Sequence, residues 1–459
     1  MGASETYLRD RRTSAVLLIA TGLLLVLLYL HTPGPNGPWY WKWHWRRLEF
    51  ASAAGSLLLG ASPVVVGMAL CWRGANSAIA LTLISIAAVS LKLAVGFTLS
   101  KGVNFDFPVL IVTDAHATGY FTDAGALAAE DGVLAVYHQI SPMFQVHSQS
   151  KPPGPILYHM FWIRWFGFTS EAAIAAALGQ ALLSALSVIA TWGLGRTMGL
   201  NTSAAVTAAG LLSIFPGFAL FWPMFDPFYP TLACSLIALW MIAMRPRRVF
   251  AAIGLGATLF AATLITYNVL VIGAFMVLSV GTVPASARSH SRFSERLRRA
   301  IVASVIALTS MVTFYAFLYA LTGFDPIQAF SQALANQRTL LTRYAADRPY
   351  PATAIFDLTD FFLGLGWIAP IYLATAVRLL NRPLAFLTAC QILCVAASSL
   401  LPGETARVWI FMMPLVAILT AESMSKRSRH LQWIILICTI IMTIAVHQNM
   451  HFLLPGGAE

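Results

Sequence analysis

Long apolar runs, separated by short polar or basic clusters, dominate the chain. A bilayer core takes about 20 apolar residues per helix. Runs of that kind lie near 14–31, 50–72, 76–99, 172–194, 203–222, 228–244, 300–322, 355–377, 384–401, 408–424 and 431–449. The stretch 249–283 is too long for one span and divides into two near Tyr267-Asn268. The pattern predicts an all-α polytopic membrane protein with about 13 transmembrane helices. Polar segments interrupt it at 101–171, 323–353 and 401–407. Within the first, Ile156 to Phe168 is short and aromatic, which suits an interfacial helix rather than a span. The chain then divides into extra N-terminal helices (1–75), a membrane core with its long loop (76–283, loop 101–171), and C-terminal helices carrying the other two loops (284–459). No inverted internal repeat of the transporter kind is visible.

Composition supports the same class. Only 10% of residues are charged and 58% are hydrophobic, with mean hydropathy +0.74. A soluble domain carries roughly 25% charge, so a water-soluble or disordered chain is excluded. The net charge of +11 does not imply a nucleic-acid partner, because the bases sit in clusters between apolar runs. Arg9/Arg11/Arg12, Arg245/Arg247/Arg248, Arg288 to Arg299, Arg378/Arg382 and Lys426/Arg427/Arg429 fall on one side when the helices are counted. Positive residues mark the cytoplasmic side, so the three polar loops are expected to be extracytoplasmic, in a multi-pass protein of the plasma (inner) membrane. Trp39 to Arg47 lands on the opposite side; its aromatics suit the headgroup belt, and a miscounted first helix pair is the alternative. The first run, with no small-residue cleavage site after it, reads as an anchor helix. Cys71, Cys234, Cys390, Cys394 and Cys438 read as small buried hydrophobes. Cys390 and Cys394 share a helix face, but nothing completes a metal site there.

Candidate chemistry concentrates in the outer loops. Asp114, with Asp106 and Asp123 nearby, supplies a carboxylate that can act as general base toward an acceptor hydroxyl. The plainer reading makes Asp114 an N-cap and puts Asp123 on the solvated face of a short helix. Further on, Lys151-Pro152-Pro153-Gly154-Pro155 forms a stiff turn before an apolar helix. That turn fixes Lys151 at the water–lipid boundary, where an ammonium either holds phosphate as a point charge or simply snorkels.

Lys151-Pro152-Pro153-Gly154-Pro155-Ile156-Leu157, with the aromatic helix ending Trp165-Phe166-Gly167, resembles the Lys/His-Pro-Pro motif of membrane glycosyltransferases of the C superfamily. The protein mannosyltransferase and aminoarabinose transferase group is the branch it is most similar to. The resemblance implies a polyprenyl-phosphate sugar donor, an envelope lipid, glycan or protein acceptor, inversion at the anomeric carbon, and a catalytic Asp in the first long outer loop. The family's Asp-Glu-x-x-Tyr setting corresponds to Asp114-Ala115-His116-Ala117-Thr118-Gly119-Tyr120, where Ala115 replaces the Glu and Tyr120 is displaced by two positions. The long loop follows the third helix here rather than the first, which two added N-terminal helices account for.

Glu404 and Arg407 are spaced i, i+3, so they can pair on one helix turn. Arg407 opens a membrane helix on the same side as Lys151, and two cations at one depth suit a lipid phosphate. His147 is a further candidate at the phosphate. Tyr120, Glu404, Arg338 and Arg343 are candidates for substrate binding, although Asn336 to Tyr350 reads first as a solvated loop surface. Asp226, before Pro227, reads as a helix cap. Lys92 is an ionisable group inside a span. No cofactor is certain; the loop carboxylates leave room for a divalent cation. The expectation is thus an integral membrane glycosyltransferase with Asp114 as its base, Asp123 and Asp106 as substitutes, and Lys151, Arg407 and His147 at the donor phosphate. A transporter or flippase for a lipid-linked or anionic substrate is the alternative.

Overall fold

The computed structural model describes residues 3–31, 44–45, 47–100, 105–115, 117–282, 293–344, 349–376 and 383–451. Most of Trp39 to Arg47, His116, Arg288, Asp347-Arg348 and Arg378/Arg382 lie outside the described residues, as does the side chain of Arg343. The fold is a bundle of helices, with one short antiparallel pairing of His44–Trp45 with Met450–His451.

The first three helices are α1 (Ala3–Tyr29), α2 (Phe50–Trp72) and α3 (Ser77–Leu99). α2 and α3 pack as a hairpin, and small residues let them close: Gly60 lies so near the Leu91 backbone that an added Cβ would sit 3.1 Å from its Cα. α1 lies along the last helix, and Asp10 is tied to Arg427 Nη1 at 3.3 Å.

The long polar segment after α3 carries α4 (Asp106–Thr113), α5 (Tyr120–Leu127) and α6 (Gly154–Phe166). α6 is short and aromatic as expected, with Phe161, Trp165 and Phe166 exposed. Then follow α7 (Ser170–Thr197), α8 (Thr202–Ile214), α9 (Tyr229–Ala243), α10 (Val249–Ile265), α11 (Gly273–Thr282) and α12 (Phe293–Thr322). The chain closes with α13 (Pro326–Tyr344), α14 (Ala352–Gly364), α15 (Ile368–Ala376), α16 (Pro383–Ser398), α17 (Met413–Met424) and α18 (Arg429–Asn449).

All the expected apolar segments are helical, but the count of about 13 spans is corrected. Among the described residues seven helices are long and apolar enough to cross a membrane, or eight if the α14–α15 pair is one bent span. The cause is local. Phe215-Pro216 ends α8, because proline cannot continue a hydrogen-bonded helix. Thr266 leaves the helical conformation after α10, with φ −160°. α14 and α15 meet at 102°, through a turn where Gly366 and Trp367 both take positive φ. Hydropathy sees an apolar run but not the break within it. Broken backbone at membrane depth is stable only when buried in protein or lining a cavity; α8 is almost wholly buried.

Lys92, fully buried in α3, meets one of these breaks. Its Nζ donates to the Phe218 carbonyl at 2.9 Å and lies 4.0 Å from the Phe218 ring centroid. The turn after α8 thereby finds a donor for a carbonyl that a continuous helix would have satisfied. Of the cysteines, Cys71, Cys234 and Cys438 are buried as expected; Cys394 is exposed and Cys390 half-buried, which corrects the uniform expectation.

Candidate active site

Three polar loops, far apart in sequence, converge on one cavity of about 340 Å³. Lys151 and His147 come from the first loop, Glu404 and Arg407 from the third, and α13 of the second contributes part of the lining.

The Lys-Pro-Pro turn is positioned by its glycine. Gly154 opens α6 against the end of α10, where an added Cβ would lie 2.3 Å from the Leu264 carbonyl oxygen. Pro155 follows at the first turn of the helix, where the missing N–H costs nothing. Lys151 is thereby held so that its Nζ is 3.5 Å from Asn268 Oδ1. Burial holds the Lys151 ammonium below the usual lysine range, against the opposing pull of the Asp226 carboxylate.

Arg407 sits on a turn that two buried acids clamp. Asp357 Oδ1 accepts the Gly403 N–H at 2.8 Å, and Asp360 Oδ2 accepts the Ala406 N–H at 2.8 Å. Both acids stand on α14, three residues apart and therefore on one helix face. Glu404 adopts φ 53°, uncommon for a residue with a Cβ, and its carboxylate pairs with Arg407 at 2.5 Å. Such conformations persist where the surroundings over-determine them; here the clamp from α14 does so.

Asp226 also lines the cavity, within electrostatic reach of Arg407 and Lys151. It begins a short 3-10 turn rather than capping a helix: Phe228 precedes α9. That turn is braced by Ser187 of α7, whose hydroxyl donates to the Pro227 carbonyl at 2.8 Å, and nearby Trp222 donates to the Ala177 carbonyl at 2.8 Å. Tyr120 reaches the cavity from α5, held in an aromatic group with Phe225 and His159. Burial drives the His159 pKa down to about 3, so the ring is a neutral packing element.

Asp114 and Asp123 are not among the residues lining the cavity. Asp114 follows α4, and its Oδ1 accepts the Ala117 N–H at 3.0 Å, closing a turn whose next residues, Ala117 and Thr118, do line it. Asp123 lies on α5 as expected but is 7% exposed, so its expected place on a solvated face is corrected. Both of its oxygens lie 3.2 Å from the Gln145 backbone nitrogen, and burial raises its pKa from the ordinary aspartate value.

The second loop departs from the expected solvated surface. α13 is amphipathic, and its Phe330, Leu334 and Leu341 side form an apolar wall of the cavity. Asn336 Nδ2 donates to the Gln149 carbonyl at 2.8 Å, pinning α13 to the first loop. Arg338 is exposed and outside the lining.

Two residues of the lining carry a buried polar atom that has no hydrogen-bond partner among the described residues: Gln180 Oε1, from the middle of α7, and Asn268 Nδ2. Buried amides are normally satisfied, and these two depart from that rule beside the cavity. The only sequence signal for Gln180 was a lone amide in an apolar run. Among the described residues no group of three or more His, Cys, Asp or Glu can hold a metal ion. The cavity carboxylates Asp226 and Glu404 lie within electrostatic reach of Lys151 and Arg407.

No protein-family model and no curated protein matches the chain. Among solved structures, it is similar to the Archaeoglobus fulgidus oligosaccharyltransferase, determined as a complex with Zn and sulfate. The identity is 12% and the TM-score 0.40, over 80% of this chain and 53% of that one. The chain therefore spans about half the length of that protein.

Proposed function

We propose that the chain is an integral membrane glycosyltransferase of the C superfamily type. It would move a sugar from a polyprenyl-phosphate donor to an acceptor on the extracytoplasmic side, with inversion. The observation that supports this reading is the meeting of Lys151, Arg407 and His147 with carboxylate, amide and apolar groups around one cavity. A lipid-phosphate sugar needs all of these: cations for the phosphate, hydrogen-bonding groups for the sugar, and an apolar wall for the lipid.

In this reading a carboxylate takes the proton of the acceptor hydroxyl as its oxygen attacks the anomeric carbon. The bond from that carbon to the phosphate oxygen breaks, and polyprenyl phosphate leaves. The departing group passes from a singly charged diester to a monoester with one more negative charge. Lys151 and Arg407 stabilise that growing charge, and so act on the transition state more than on the bound donor. Asp226 is the carboxylate we assign to the base, since it lines the cavity; Asp114 takes the role if the 114–118 turn opens on binding. No step is routed through a metal ion.

The test uses purified protein in lipid with a panel of radiolabelled polyprenyl-phosphate sugars and mixed acceptors. Sugar transfer is followed for the native chain, Asp226→Asn, Asp114→Asn and Asp123→Asn. Transfer by the native chain, abolished in one carboxylate variant, supports the class and names the base. The transporter reading keeps one supporting observation, the 102° break between α14 and α15. Donor that crosses the bilayer chemically unchanged, in every variant alike, would replace the transferase with a flippase.

A further inference from the structure

α9 is about 22 Å long at 1.5 Å per residue. Its first residue, Tyr229, lines the cavity described above, and its last, Ala243, lines a second one of about 390 Å³. This second cavity therefore opens on the opposite face of the bundle. It lies beside the starts of α10 and α12, which touch closely further along. At the contact, an added Cβ on Gly256 would lie 2.2 Å from the Ala307 carbonyl oxygen, and Ser310 donates to the Ile253 carbonyl at 3.1 Å.

Five arginines line the gap: Arg245, Arg247 and Arg248 from the α9–α10 turn, and Arg298 and Arg299 from α12. One carboxylate, Glu295, stands among them and is paired with Arg299. Arg245 donates to the Thr197 carbonyl. Among the described residues no carboxylate pairs with Arg247, Arg248 or Arg298. α10 and α12 also both begin here, so their positive dipole ends add to the field. A topology signal requires positive charge on a loop; it does not require a cavity with guanidinium groups on both walls. The outer wall continues onto membrane-facing surface, where Val249, Val302 and Val305 are more than half exposed.

We propose that this cavity holds the phosphate headgroup of an anionic phospholipid, with its acyl chains lying along α10 and α12. Guanidinium pairs suit a phosphodiester because each can donate two parallel hydrogen bonds. Basic pockets between membrane helices take such headgroups.

The experiment places the full chain in phosphatidylcholine nanodiscs containing a minority of photoactivatable phosphatidylglycerol, and maps the cross-links by peptide mass spectrometry. Labelling is expected to concentrate in 245–252 and 293–306. Arg247→Gln with Arg298→Gln lowers it at least about fivefold, while Arg11→Gln with Arg12→Gln, a charge-matched change on α1, leaves it intact. Labelling spread evenly over the native surface overturns the proposal, and this result needs no variant to fold. Equal loss in both variant pairs reduces the effect to overall surface charge and also overturns it. Inorganic phosphate is added in a separate arm; full displacement at millimolar phosphate makes the cavity a site for the free anion and not for lipid.

Discussion

Lys151 Nζ and Asn268 Oδ1 stand 3.5 Å apart across 117 positions of sequence. The contact joins the loop before α6 to the break that follows α10. It places an ammonium and an amide on one wall of the cavity, with the donor of that amide, Asn268 Nδ2, buried and without a hydrogen-bond partner among the described residues.

Replacing Lys151 by Ala is expected to lower sugar transfer by about 100-fold or more, the usual scale for losing one charge-stabilising group in a closed site. The loss falls mainly on kcat, because the interaction strengthens as the phosphate departs. Steady-state kinetics with a single donor checks this; a change confined to KM would place Lys151 in ground-state binding alone.

The pH dependence carries a sign. Burial lowers the Lys151 pKa below the usual lysine range, and only the protonated amine can hold phosphate. Transfer should therefore fall as pH rises through a value lower than an ordinary lysine gives. In Lys151→Arg the alkaline limb moves up, since guanidinium stays protonated. A kcat/KM profile that is identical for the two proteins on the alkaline side contradicts this assignment.

Gly154→Ala should reduce activity although it touches no ligand. The new Cβ would meet the Leu264 carbonyl oxygen at 2.3 Å, forcing the start of α6 away from α10. Lys151 would then be drawn off Asn268. Loss of transfer with the helical signal and detergent stability retained is the expected pattern. Full activity would mean that the turn has slack that the packing does not suggest.

Asp123 separates structural from chemical roles in the first loop. Asp123→Ala leaves the Gln145 N–H without its acceptor and is expected to destabilise the protein by about 1–3 kcal/mol. Asp123→Asn keeps an acceptor oxygen and removes a charge that burial disfavours, so it should retain both stability and transfer. Thermal unfolding of both variants, beside their activity, makes the comparison. An Asn variant that is stable but inactive would return Asp123 to the catalytic role.

Much of the architecture was readable because each relevant feature is local. Apolar runs mark helices, and the Lys-Pro-Pro turn and the Glu404/Arg407 spacing lie at the ends of such runs. What the pattern hid depends on tertiary neighbours. α13 reads as a polar loop surface until the cavity beneath its Phe330–Leu341 side is known. Asp226 reads as a helix cap because Asp-Pro usually is one; its position beside Arg407 follows from how α7 braces its turn. Asp357 and Asp360 lie inside an apolar run that gives no local sign of their role, yet their carboxylates hold the turn that carries Arg407. Helix breaks at Pro216, Thr266 and Gly366 shortened several expected spans for reasons that mean hydropathy does not register.

The central claim is that Lys151 and Arg407 together hold a lipid phosphate. The most direct measurement is equilibrium binding of radiolabelled polyprenyl phosphate, without sugar or acceptor, to the native chain and to Lys151→Ala and Arg407→Lys in the same lipid. The account predicts saturable binding by the native chain, weakened at least about tenfold by each change, since lysine cannot reproduce the guanidinium fork. Undiminished binding by both folded variants would contradict it.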